Sequence, residues 1–282
     1  MLVLAVWIVD RVGGSSQGRG HVALPAVALP AVAARPSQPY VTPSPDAVWN
    51  AKGYQIRPCG VPPAGSPTFF TAAAIAGRPG GEGYSRTDVI DAGQLDLRDG
   101  RLWVTGGEYL PYLDDAVGVA TPAGTFPVTL LTAQSKFGPE TAAVLVEFTP
   151  KAPVRWVEVA EAGGGTDGGQ MALAGVAAAS RLASVRDAGA SMQDIDNAPE
   201  YWLSPCLRYS LSSEPGNGVA LTVNLQGDGG FPGAVGYDFS GAETAVVVST
   251  GLLPWSLLGL PGLPPPEAVR DEPTPSASSV GG

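Results

Sequence analysis

Residues 118–160 read GVATPAGTFPVTLLTAQSKFGPETAAVLVEFTPKAPVRWVEVA, and they predict three strands with turns between them. Phe126 to Thr132 is a run of apolar and β-branched residues entered through the turn Pro122-Ala123-Gly124. Thr141 to Thr149 is a second run, dominated by Ala, Val, Leu and Phe. Val154 to Val159 alternates, with Val154 and Trp156 on one face and Arg155, Val157 and Val159 on the other. Successive strand side chains point to opposite faces, so alternation and β-branched residues bounded by Pro and Gly are strand signals.

The neighbouring segments extend the pattern. In residues 89–107, VIDAGQLDLRDGRLWVTGG, two alternating runs flank Asp99-Gly100, which tolerates positive φ and predicts a two-residue hairpin turn. Val219 to Leu225 and Ala242 to Thr250 read as further strands, with QGDGGFPGAVGYDFSG between them as a glycine-rich turn region. Residues 170–187, QMALAGVAAASRLASVRD, carry an approximate helical stripe, with Thr166 or Asp167 as its cap. A shorter helix is expected at 66–77, started by Ser66-Pro67 and stopped by Gly77, with Phe69, Phe70 and Ile75 facing the core. Residues 161–169, EAGGGTDGG, are expected to be a flexible loop, and 191–206 a short helix or turn. The expected fold is therefore a single β-rich α+β domain over 55–250. It is an antiparallel sandwich or open barrel of roughly seven strands, with one or two helices packed on a face.

The flanks differ in composition. Residues 1–54 form a low-complexity leader and a Pro- and Ser-rich linker, in which ALPAV occurs twice in succession. The apolar start MLVLAVWIV is too short to span a bilayer, which needs about 20 residues. An export signal ending at Ala31-Val32-Ala33 is the alternative to an unstructured leader, and Pro25 and Pro30 oppose it. Residues 251–282 read as a Pro-rich, disordered tail. Its first part, LLPWSLLGLPGLPPP, is apolar enough to pack on the domain.

Composition narrows the chemistry. With 16 Lys+Arg against 26 Asp+Glu the net charge is −10, which disfavours nucleic acid and anionic membrane surfaces as partners. His21 is the only histidine, so a Ser-His-Asp triad, a Cys-His pair or a multi-histidine zinc site has almost no material. Cys59 and Cys206 are favoured as two unrelated free thiols, and a disulfide is the alternative if the protein is exported. Ser85 and Ser204 have no base to activate them. No dinucleotide fingerprint, Walker loop or kinase signature is present.

Three segments form a further pattern. The first runs from Gly93-Gln94-Leu95-Asp96-Leu97 through Gly100-Arg101-Leu102-Trp103-Val104. The second is Thr121-Pro122-Ala123-Gly124-Thr125-Phe126-Pro127-Val128, followed by Ala142-Ala143-Val144 and Arg155-Trp156. The third is Gly227-Asp228-Gly229-Gly230-Phe231-Pro232 with Gly236-Tyr237-Asp238. In this order they resemble a bacterial family, domain of unknown function 4241, whose paired strands the first segment is similar to. The resemblance spans residues 68–250. It departs from the family at Thr105-Gly106-Gly107-Glu108, where an Asp-Pro is usual, and at Thr166-Asp167-Gly168-Gly169. It implies a compact β-rich domain and brings no reaction with it.

Candidate site residues are carboxylates and tyrosines on loops. Asp228, Asp238 and Asp167 sit in glycine-rich segments where the backbone can approach a ligand closely. Together they would serve a hard cation or an acid/base pair. The plainer account is that each aspartate shapes its turn. Tyr109 and Tyr112 lie in an acidic-aromatic loop, EYLPYLDD, suited to a protein or sugar partner or simply to packing on a sheet edge. Trp156 with Arg155 is a binding pair or a core residue beside a surface charge, and Glu140, Glu147 and Glu158 read as solvent-face charges. The expectation is a non-catalytic binding or interaction module, accessory or immunity-like, with another protein as partner and no cofactor, metal, nucleic acid or membrane span. The alternatives are a carboxylate-based hydrolase or carbohydrate-active protein using Asp167, Asp228 and Asp238, or an exported structural protein. The expected location is cytoplasmic, with export as the alternative.

Overall fold

Two antiparallel sheets face one another in the computed structural model, which describes residues 49–51, 54–60, 68–70, 84–106, 118–135, 138–167, 169–187, 205–211, 220–224 and 229–270. The strands in chain order are β1 (Trp49–Ala51), β2 (Tyr54–Pro58), β3 (Tyr84–Leu97), β4 (Arg101–Gly106), β5 (Val119–Ala120), β6 (Gly124–Ser135), β7 (Gly138–Glu147) and β8 (Arg155–Glu158). They continue with β9 (Gly164–Thr166), β10 (Gln170–Gly175), β11 (Cys206–Leu211), β12 (Ala220–Asn224), β13 (Gly229–Phe231), β14 (Gly233–Tyr237) and β15 (Glu243–Ser249). The helices are α1 (Val176–Asp187) and α2 (Pro266–Arg270). One sheet runs β1-β2-β11-β12-β10-β4-β5, the other β3-β6-β7-β15-β14-β8, and β13 pairs with β9 apart from both. The expected β-rich α+β architecture is therefore the observed one, and it takes the sandwich form.

The core lies between the sheets. Val128, Leu130, Val144, Val146, Val246 and Val248 face Leu102, Val104, Met171 and Leu173, all of them buried. The register Leu130↔Val144 and Val128↔Val146 shows why these residues share a face. Their neighbours Leu131, Ala143, Leu145 and Val247 point the other way and are also buried, under Phe70, Leu253 and Leu258. The long apolar run of β7 follows from this, because a strand covered on both faces needs no polar alternation.

The covering layer is the C-terminal segment, so the domain does not end at 250 as expected. Leu253 and Leu258 are core residues, and Trp255 meets Trp156 edge-on at 5.8 Å. The Trp156 indole N–H donates to the Pro261 carbonyl at 2.8 Å. Leu263 then runs parallel to β8, donating its N–H to the Val154 carbonyl and accepting from the Trp156 N–H. At the other end β1 and β2 extend the ordered chain before residue 55.

Three local expectations are corrected. Asp99-Gly100 does turn the chain, with Gly100 at φ 71° and its N–H on the Leu97 carbonyl at 2.8 Å. The flanking strands nevertheless do not pair: β3 pairs with β6, while β4 pairs with β10 and β5. The turn is a corner between sheets, because Leu97 and Leu102 on either side of it are both drawn into the inter-sheet core. Residues 170–175 are a strand and not the first turns of a helix; β10 is buried throughout between β12 and β4. A short apolar run buried on both sides carries no period that separates strand from helix. The helix begins only at Val176, and its cap is neither Thr166 nor Asp167: the Ala177 N–H donates to the Asp99 carboxylate at 2.9 Å.

Residues 161–169 form a 3-10 turn, Ala160–Ala162, followed by β9, and the glycine-rich stretch after it forms β13 and β14. The glycines there permit contact more than flexibility. A Cβ on Gly233 would collide with the Ala162 carbonyl, and one on Gly236 would press on Pro153 at 2.9 Å and Trp156 at 3.0 Å.

Cys59 and Cys206 are joined in a disulfide, which overturns the expectation of free thiols. Cys59 directly follows β2 and Cys206 begins β11, with the Cys59 N–H on the Cys206 carbonyl at 3.1 Å. Their Cα atoms are 5.5 Å apart, inside the range a disulfide spans. Among the described residues no helix is long and apolar enough to cross a membrane. The expected helices at 66–77 (beyond Thr68–Phe70) and 191–204, the leader with His21, and the tail after 270 lie outside the described residues.

Candidate functional site

A groove on the described surface forms where β15 hands over to the C-terminal segment. Gly251, at φ 74°, turns the chain at the strand end, and its N–H donates to the Ser249 hydroxyl at 3.3 Å. The Thr250 hydroxyl donates back to the Thr141 carbonyl at 2.8 Å, which pins that turn to β7. The chain then crosses the outer face through Leu253, the 3-10 turn Trp255–Leu257 and Leu258 before returning along β8. The loop so closed leaves a groove of about 430 Å³ against β14 and β8.

Its lining is apolar with a polar rim. Leu252, Leu253, Pro254 and Trp255 form one wall, and Pro265 and Ala268 another. Glu158 at the end of β8 and Glu267 in the first turn of α2 put carboxylates on the rim, and Ser249 adds a hydroxyl. Glu158 is exposed and open to a ligand from solvent. A shallower depression continues past Pro232, walled by Gly163, Gly164, Gly230 and Phe231, and shares Glu158, Pro232 and Gly233 with the groove. Such a site accommodates an apolar group flanked by a cation or a hydrogen-bond donor.

The two described sequence-derived candidates, Asp167 and Asp238, do not line this groove. The Asp238 carboxylate accepts from the Ser240 hydroxyl at 2.6 Å, the Ser240 N–H at 2.8 Å and the Ala242 N–H at 3.0 Å. Lys151 approaches its other oxygen at 3.5 Å. The Ser240 hydroxyl, the backbone donors and Lys151 hold this carboxyl down at about 2. Asp238 is thus a turn-shaping residue at the β14–β15 connection. Asp167 follows β9, whose Thr166 lies opposite Gly229 at the start of β13, whereas Asp238 follows the far end of β14. Asp228, Tyr109 and Tyr112 lie outside the described residues. Among the described residues no group of three or more His, Cys, Asp or Glu is placed to hold a metal ion.

Arg155 and Trp156 do not form a joint surface. Trp156 is buried, while the Arg155 guanidinium lies 5.1 Å above the Tyr237 ring. Two of the glutamates expected to face solvent are buried. Glu140 accepts the Tyr84 hydroxyl at 2.7 Å, and burial together with that carboxylate pushes the tyrosine up. Glu147 accepts the Phe69 N–H at 3.1 Å, and burial pushes its carboxyl up. The groove residues Ser249, Trp255 and Glu267 were missed because the segment holding most of them reads as tail. The signal available was its apolar content, Leu252-Leu253-Pro254-Trp255, which a disordered tail does not need. Comparison with protein-family models, with curated proteins and with solved structures finds no match for this chain.

Proposed function

We propose that the protein is a non-catalytic binding module whose partner is a basic protein presenting an apolar side chain to the groove under the C-terminal segment. The observation that carries this reading is the groove itself: apolar walls around Trp255, with Glu158 and Glu267 on the rim. An aromatic anchor in a pocket with a charged rim is the usual make-up of an interface hot spot. The net charge of −10 favours encounter with a cationic partner. The single histidine and the pairing of both cysteines leave little for nucleophilic catalysis. The family resemblance adds no activity to this reading.

Capture with the full chain tests it, using the wild type beside Trp255→Ala and a Glu158→Lys/Glu267→Lys pair, with bound proteins identified by mass spectrometry. The reading expects one stoichiometric partner, released by salt and lost in both variants. Equal recovery by all three baits places the interface elsewhere. We further propose that the chain acquires its disulfide in an oxidising compartment, supported by the burial of Cys59 and Cys206, since such bonds are rare in the cytosol. Recovery of alkylatable thiols from protein trapped in its native cells argues for the cytoplasm instead.

A further inference from the structure

We propose that Arg57 and Arg208 form a binding site for a carboxylate, separate from the groove. The two arginines sit directly opposite one another on β2 and β11 in the register Arg208↔Arg57. Facing positions on antiparallel strands bring Cβ atoms within about 5 Å, and like charges there repel. Two residues away on the same faces, Cys59 and Cys206 are covalently joined, so the disulfide holds the register that opposes the two charges. No ion pair involves either arginine among the described residues.

The environment of Arg208 is built and one-sided. Its guanidinium lies against Gly93, where a Cβ would collide with it, so a glycine at φ 83° makes its seat. Its Nε is buried and donates to nothing among the described residues. Burial lowers the Arg208 pKa from its ordinary value, nearby Asp91 partly restores it, and Arg57 lowers it further. Asp91 spends one oxygen on the Gly93 N–H at 2.6 Å. Among the described residues two guanidinium groups stand against one carboxylate, Asp91, and that excess of positive charge suits a monoanion better than a phosphate dianion. The unsatisfied Nε–H beside a terminal N–H is the fork that takes a planar carboxylate through two parallel hydrogen bonds. Arg57 is exposed and admits the ligand from solvent.

The test uses the full chain with isotope-labelled arginine and follows the Arg Nε–H resonances by NMR at neutral pH and constant ionic strength. Acetate, N-acetyl-glycylglycine and inorganic phosphate are the probes. The expected result is a saturable shift of one Nε–H resonance with either carboxylate, and a weaker response to phosphate. Arg57→Ala, an exposed substitution that leaves the fold intact, weakens carboxylate binding by about fivefold or more, as loss of a charged hydrogen bond does. Tighter binding of the dipeptide than of acetate identifies a chain terminus as the carboxylate source, and equal binding identifies a free acid. A linear, unsaturable shift, an unchanged Arg57→Ala, or tighter binding of phosphate overturns the proposal. Arg208→Lys keeps the charge and removes the fork; if it binds acetate as the wild type does, the fork has no role.

Discussion

Replacing both cysteines with alanine, Cys59→Ala/Cys206→Ala, removes the covalent bond between the residue after β2 and the first residue of β11. The bridged residues are 147 apart in sequence. Closing a loop of that size costs the unfolded chain about 17 cal/mol/K, or about 5 kcal/mol at room temperature, in the chain-entropy account. That is the ceiling, because residual structure in the unfolded chain and strain in the bridge reduce it. The two sites are buried, and alanine leaves only small voids there, which adds roughly 1 kcal/mol at most. A loss of about 3–5 kcal/mol is therefore expected, with a fall in Tm on the order of 10 °C for a domain of this size. Urea unfolding of wild type and variant, followed by tryptophan fluorescence, measures it at constant pH. The unfolded variant is also less constrained, so its urea slope is expected to rise. A midpoint unchanged within error, together with free thiols titrating in native wild-type protein, would refute the reasoning, since the bond would then not exist in solution. An unchanged midpoint with no free thiols would instead show that the bond is as costly to the folded state as to the unfolded one.

Two further outcomes follow from buried groups. Burial raises the Glu147 pKa in the folded protein above its unfolded value, so the native state holds its proton to higher pH. Stability therefore falls as pH rises through that shifted value, and Glu147→Gln, which cannot ionise, gains on the wild type as pH rises; parallel wild-type and variant stabilities from pH about 4 to 8 would contradict this. Leu258 is fully buried on the outer face of the β3–β8 sheet, so Leu258→Ala is expected to cost about 2–5 kcal/mol in chemical unfolding. A cost below about 1 kcal/mol would mean that the C-terminal segment does not cover that face in solution.

The strands of the 118–160 block were legible because their alternation and bounding Pro and Gly are local properties. β6, β7 and β8 fall where those signals place them, and Trp156 is buried as its side of the alternation requires. The turn at Asp99-Gly100 was legible as a turn for the same reason. Its outcome was not, because which strand pairs with which depends on where Leu97 and Leu102 find apolar partners. The β10 segment was misjudged as helix because small residues buried on both sides carry no periodic signature. Gly233 and Gly236 mark close approach, which one chain segment cannot reveal without the other.

Composition and neighbours within a few residues were enough to set the class of fold, the net acidity and the lack of histidine to activate a nucleophile. Tertiary structure alone decided the rest. It closed Cys59 onto Cys206 and set Arg57 against Arg208. It made Asp99 the cap of α1 and folded an apparent tail into the wall of a groove. Each of these joins residues far apart in the chain, and such contacts form only when two sheets, each with an apolar face, find the arrangement that buries both.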